Sequence, residues 1–145
     1  MAIEISAPPG SLALVSLPPA RYRELLAKLP EVPGFVQLTR DVEEITLILA
    51  EDEWARLAPS FPEARFLGGR RLIQFDLVLD FSIVGFLAEV TRLLAAAGIS
   101  VFAISTWRTD AILVAEESFD QAVSAIRSSN RLGDWETGQD CRIGA

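Results

Sequence analysis

Two short segments hold the side chains that could recognise or transform a small molecule. The first is Asp80, Phe81, Ser82, Ile83, Val84 and Gly85, where a strand hands over to a helix. Asp80 or Ser82 can cap that helix, and the N–H groups of its first turn suit an anion. Gly85 falls in the first turn, where glycine costs about 1 kcal/mol relative to alanine. Such a glycine either admits a ligand or backbone or simply lets helix and strand pack closely. The second segment is Ser105, Thr106, Trp107, Arg108, Thr109 and Asp110, between two strands. Its hydroxyls can orient a ligand, and Trp107 or Phe102 can cover an aliphatic or cationic side chain. Ordinary packing is the commoner fate of such aromatics, and turn capping explains Asp110 as well as a ligand contact does.

Much chemistry is ruled out by what is missing. The 145 residues contain no histidine and one cysteine, Cys141. Ser-His-Asp and Cys-His machinery is therefore excluded, as are an internal disulfide and a Cys/His zinc site. The formal charge of −7 repels a phosphate backbone, so no nucleic-acid partner is expected. The longest apolar run is far too short for a membrane span. The first residues, MAIEISAPPG, lack the basic start of a signal peptide, so no membrane partner and a cytoplasmic location are expected.

Half of the residues are hydrophobic and 23% are charged, a globular balance. A chain of this length buries roughly two thirds of its unfolded surface and needs no metal or disulfide for stability. Residues 11–18 read as a strand. Residues 19–30 read as a helix, with Tyr22, Leu25, Leu26 and Leu29 on one stripe between Pro19 and Pro30. Residues 35–40 and 45–51 read as strands, 52–58 as a short helix capped by Asp52, and 60–69 as a loop jointed at Gly68-Gly69.

The second half repeats this order. A strand at 71–80 precedes a helix at 82–98, whose apolar stripe is Ile83, Phe86, Leu87, Val90, Leu94 and Ala97, stopped by Gly98. Strands follow on either side of residues 105–110. A last helix opens with a Ser118-x-x-Gln121 capping box. The halves align at an offset of about 66 residues, with Glu44 on Asp110 and Thr39 on Ser105.

Each half thus reads β-α-β-β-α with a final strand left open, the ferredoxin-like order of an antiparallel sheet with helices on one face. The expected fold is α+β, two βαββαβ units at residues 1–69 and 70–145. The bare sheet face needs cover from the other half or another chain. The helix start near Gly85 and the turn after Trp107 need not share one end of a unit, so uniting them calls for two units packed together.

The run LDFSIVGFLAEVTRLLAAAGISVFAISTWRTDAILV, residues 79–114, resembles the ACT domains of the CASTOR-type group. The matching pieces are F-S-x-x-G, the stretch from Leu94 to Thr106, and an aromatic followed by x-T-D-x-x-L-V. The resemblance implies tandem ACT units that bind an amino acid at an interface between units and regulate a partner without doing chemistry. It implies no cofactor; and if a complete pocket needs two intact units and only the second half is intact, a homodimer supplies two equivalent sites. Asp80, Ser82, Ile83, Val84 and Gly85 would approach the ligand's backbone groups. Ser105, Thr106 and Trp107 would line the pocket, and Asp110 would meet a positive end. The first half departs from the pattern, with SLPPARY where the second has DFSIVGF.

Elementary chemistry agrees with an amino-acid ligand. A helix N-terminus suits the carboxylate, and carbonyls with an aspartate suit the ammonium. Two other classes compete. One is a ligand-free interaction subunit. The other is a small acyl-phosphate hydrolase, for which Arg92 and Arg108 are available but no Asn or Gln lies near the 79–85 turn. Binding by the isolated protein and turnover of an acyl phosphate would tell these apart.

Overall fold

The computed structural model of the protein describes residues 3–76, 83–130 and 132. In chain order the first elements are β1 (Ile5–Ser6), β2 (Leu12–Leu17), α1 (Tyr22–Lys28), β3 (Gln37–Arg40), β4 (Ile45–Ala50) and α2 (Glu51–Leu57). Then come β5 (Arg65–Phe75), α3 (Phe86–Ala96), β6 (Phe102–Ser105), β7 (Asp110–Ala115) and α4 (Phe119–Arg127). Among the described residues no helix is long and apolar enough to cross a membrane.

The chain packs as two units, Pro9–Arg70 and residues 3–8 together with those from Arg71 onward. In the first unit the strands lie in the order β3-β4-β2-β5, where β5 contributes residues 65–70. In the second the order is β1-β5-β7-β6, with β5 contributing 71–75. Both orders are the fourth-first-third-second arrangement of βαββαβ. Among the described residues this is the ferredoxin-like fold, α+β, with an antiparallel sheet and four α-helices. The fourth strand in the second unit's order is β1, from the N-terminus.

Alternation along each strand sorts the core. In the first unit Ala13, Val15, Leu17, Ile45, Leu47 and Leu49 face Leu25 of α1 and Trp54 of α2. In the second, Ile73, Phe75, Ile112 and Val114 meet Phe86, Val90 and Leu94 of α3 and Ala122 and Ile126 of α4. Both helices of a unit therefore cover one face of its strands.

The helix boundaries shift for stated reasons. The 19–30 helix is three pieces, 3-10 turns Pro19–Arg21 and Leu29–Glu31 flanking α1, because each proline tightens the turn it sits in. Asp52 does not cap α2. The helix starts one residue earlier, at Glu51 with Ala50 as its N-cap, and the Asp52 carboxylate accepts from the Glu53 amide at 2.9 Å. Nor does Ser118-Gln121 form a capping box. Ser118 sits at φ −99°, ψ −3°, off the extended conformation that a capping hydroxyl requires, and Gln121 donates instead to the Ala97 carbonyl at 3.5 Å. The 82–98 helix is regular over Phe86–Ala96, with Gly85 as its N-cap at φ 94°. Gly85 therefore precedes the first turn and supplies the left-handed conformation of a helix entry.

Residues 60–69 are not simply a loop. β5 runs through Gly68-Gly69, and its pairing with β2 slips between Leu12↔Arg70 and Leu14↔Leu67. One extra residue in β5 with Gly69 at φ 60° is a glycine β-bulge. The Glu51 carboxylate braces it, accepting from the Gly69 amide at 2.7 Å.

The repeat is real but its offset is 65. The hairpin partners are Arg40↔Ile45 in one unit and Ser105↔Asp110 in the other. Ser105 thus corresponds to Arg40 rather than Thr39, and Asp110 to Ile45 rather than Glu44. Burial agrees, since Leu47 and Leu49 then match the core residues Ile112 and Val114. A shift of one would put those partners on opposite faces.

Candidate functional site

The polar hairpin between β6 and β7 is first of all a tied turn. The Thr106 amide donates to the Thr109 carbonyl at 3.0 Å, and the Thr106 hydroxyl donates to the same carbonyl at 2.9 Å. The Thr109 amide returns a bond to the Thr106 hydroxyl at 3.2 Å. At the base of the turn the Ser105 hydroxyl donates to Asp110 Oδ1 at 2.7 Å. The first unit closes its β3–β4 hairpin with the same logic. The Asp41 amide donates to the Glu44 carbonyl, and the Asp41 carboxylate accepts from the amides of Glu43 and Glu44. Those amides, Glu44 first, hold the Asp41 carboxyl below its ordinary value.

The helix start and this turn lie at one end of one unit, contrary to the expectation that joining them takes two. The Thr109 hydroxyl donates to the Phe75 carbonyl at 2.9 Å, fastening the turn to the end of β5. The Phe75 ring meets Phe86, the first residue of α3, edge to face at 4.9 Å between centroids. One residue before Phe86 is Gly85. The topology demands this, because the first and second strands of a βαββ unit run the same way and end at the same edge.

The residues singled out from sequence divide as follows. Asp80 and Ser82 lie outside the described residues. Ile83 is half-buried against the core, while Val84 and Gly85 are exposed at the mouth of α3, which no side chain caps. Ser105 and Thr106 are exposed, and Trp107 is 86% exposed, so it does not pack into this unit's core. Asp110 is half-buried on the helix side of the sheet, at the register position where the other unit has Ile45 with no exposure at all. Sequence reasoning counted Thr109 among the turn's polar groups without giving it a place in the site, and it missed Phe75 and Asp76. The link between Thr109 and Phe75 is a bond spanning 34 residues.

The arginines are unequally placed. Arg92 grips Glu89 through two bonds of 2.8 Å, and this partner raises the Arg92 pKa. Glu89 is buried to 7% exposure in α3. Arg92 is thus committed within its own helix and is no phosphate cradle. Arg108 is exposed and makes no ion pair or side-chain hydrogen bond among the described residues.

Residues 68–128 match the family model of the ACT domain. No curated protein has a sequence that matches this chain. Among solved structures, a protein of Agrobacterium tumefaciens is similar over 87% of both chains, at 20% identity and a TM-score of 0.65. A protein of Vibrio cholerae is similar over 86% of this chain and 88% of its own, at 21% identity and a TM-score of 0.66. The regulatory subunit of aspartate kinase from Thermus thermophilus, in its ligand-free form, is similar over 87% of this chain and 96% of its own. Its identity is 13% and its TM-score 0.64.

Proposed function

We propose that this protein is a non-catalytic regulatory module that binds a free amino acid, with the ligand held where ACT units meet in a homodimer of the CASTOR-type arrangement. The observation that carries the reading is Asp110. A half-buried carboxylate, held by Ser105, stands where the matching strand position of the other unit is the fully buried Ile45. Core packing asks for an apolar residue there, so the carboxylate marks a polar task. The ACT match over residues 68–128 and the likeness to a regulatory subunit of aspartate kinase support a regulatory role over a catalytic one.

In this reading Ile83, Val84 and Gly85 approach the ligand's carboxylate, with Asp80 and Ser82 preceding them in the chain. Ser105, Thr106 and Asp110 meet its ammonium or a cationic side chain, and Trp107 lines the pocket beside them and covers that side chain. Ligand binding tightens the interface and passes that change to a regulated protein partner. A thermal-shift screen against the twenty amino acids tests it. A ligand at 100 times its Kd adds roughly 2.7 kcal/mol, and Asp110→Ala removes the shift. No shift with any amino acid defeats the reading. Light scattering that finds a monomer at micromolar concentration defeats the dimer.

A second reading has its own observation. The hydroxyls of Thr106 and Thr109 are spent on backbone carbonyls while Trp107 is largely exposed, which suits a protein interface without a ligand. Capture of a protein partner that Trp107→Ala abolishes, with no thermal shift by any amino acid, would favour it.

A further inference from the structure

The β6–β7 turn has a second polar side. Strand alternation sends Ser105 and Asp110 toward the helices, together with the core residue Ile112, and sends Thr106 to the other face. On β5, Ile73 and Phe75 are in the core, so Gln74 between them leaves on the face away from the helices. A shallow recess of about 220 Å³ opens there, lined by Gln74, Phe75, Asp76, Thr106, Arg108 and Thr109. None of these except Thr106 belongs to the Asp110 cluster.

What the recess has left to offer is specific. The hydroxyls of Thr106 and Thr109 are used within the turn and on Phe75. The Asp76 carboxylate accepts one hydrogen bond, from the Ser6 hydroxyl at 3.0 Å, and keeps acceptor capacity. Gln74 and Arg108 have no side-chain partner among the described residues, and Asp76 and Arg108 are not paired with each other. A cationic fork, a carboxylate and an amide thus line one small cavity with their charges unspent.

We infer that this recess is a second small-molecule site, separate from the Asp110 cluster, and that it takes a small zwitterion of the amino-acid class. Arg108 grips the ligand's carboxylate, Asp76 its ammonium, and the Gln74 amide the remaining polar atom. The volume lies below the ~300–1,000 Å³ of drug-sized pockets, which restricts the ligand to a few non-hydrogen atoms beyond its zwitterionic core. Because Thr109 fastens the turn to Phe75, the recess and the Asp110 cluster are built on the same β6–β7 turn. The ligand class rests on the amino-acid-binding reading above; the location does not.

The test is two-dimensional amide NMR of the full chain, titrated in turn with each of the twenty standard amino acids. The expected result is that at least one shifts the amides of Gln74, Asp76, Arg108 and Thr109. Arg108→Gln and Asp76→Asn each weaken that binding roughly tenfold or more, the loss of one charge-assisted contact, while Asp110→Asn leaves it in place. An amino acid that shifts only Gly85, Ser105 and Asp110 overturns the second site and leaves the regulatory reading standing. Recess shifts that survive Arg108→Gln, or that Asp110→Asn abolishes equally, also overturn it. No shift anywhere overturns both.

Discussion

The Thr109 hydroxyl donates to the Phe75 carbonyl at 2.9 Å, and that bond ties the β6–β7 turn to the end of β5. Backbone carbonyls at a strand end lack a ladder partner, so a side chain that reaches one fixes the loop. Thr109→Val keeps the shape and removes the donor. It should cost about 1 kcal/mol in chemical denaturation and leave the m-value unchanged. Thr109→Ser should keep most of the stability. A Thr109→Val variant as stable as the parent would mean that the bond contributes nothing to holding the turn.

Gly85 separates two explanations of a glycine. Its φ of 94° belongs to the left-handed side of the map, and a Cβ built there meets nothing within 4 Å. The constraint is therefore the backbone, with no steric neighbour among the described residues. Gly85→Ala should cost about 1–2 kcal/mol, and Gly85→Asn should cost less, because asparagine enters this region more readily. Equal costs for the two would point to crowding instead.

Local signals recovered most of the elements. The stripe through Phe86, Val90 and Leu94 has a helical period, and Ile112 with Val114 has a strand period, so both declare themselves within a few residues. β1 does not, because Ile5–Ser6 is two residues long and its partner Phe75 is far along the chain. Gly68-Gly69 misleads for a different reason: a glycine bulge and a loop draw on the same residue preference. The repeat offset missed by one because apolar residues occupy both faces of β4 and β7, where Ile48 and Leu113 are buried outside the helix-side cores. That error assigned Asp110 an acidic counterpart and hid the contrast with Ile45. Of the candidate site, Asp110 and Ser105 were legible as polar residues ending strands. Asp76 and Gln74 were not, since they meet Thr109 only when β5 lies beside β7.

The bulge brace makes a non-additive prediction. A Cβ on Gly68 would stand 2.5 Å from Glu51 Oε1, and the same carboxylate holds the Gly69 amide. Glutamate is flexible, so Gly68→Ala displaces it rather than splitting the strand, and the loss is the bond to Gly69. Gly68→Ala and Glu51→Ala should each cost roughly 1–2 kcal/mol, and the double variant should cost little more than either single one. Additive costs in urea denaturation would show that the two residues act apart.

Asp41 gives the acid-side prediction, and its sign follows from the bonds it accepts. The amides of Glu44 and Glu43 favour the charged carboxylate, so its pKa in the folded protein falls below 3.8. A depressed pKa stabilises the fold above the unfolded value and loses that contribution as pH drops through the folded value. Between neutral pH and about 5 the turn should therefore be insensitive to pH, and its stabilisation should fade below the ordinary aspartate range of about 4. The carboxyl carbon of Asp41, followed by NMR titration, should show a midpoint below 3.8. In Asp41→Ala the amides of Glu43 and Glu44 should exchange faster with solvent at neutral pH. Asp41→Asn retains an acceptor oxygen and should preserve much of the turn while abolishing its acid dependence. A midpoint at or above the ordinary aspartate value would show that the two amides do not hold the carboxylate in solution.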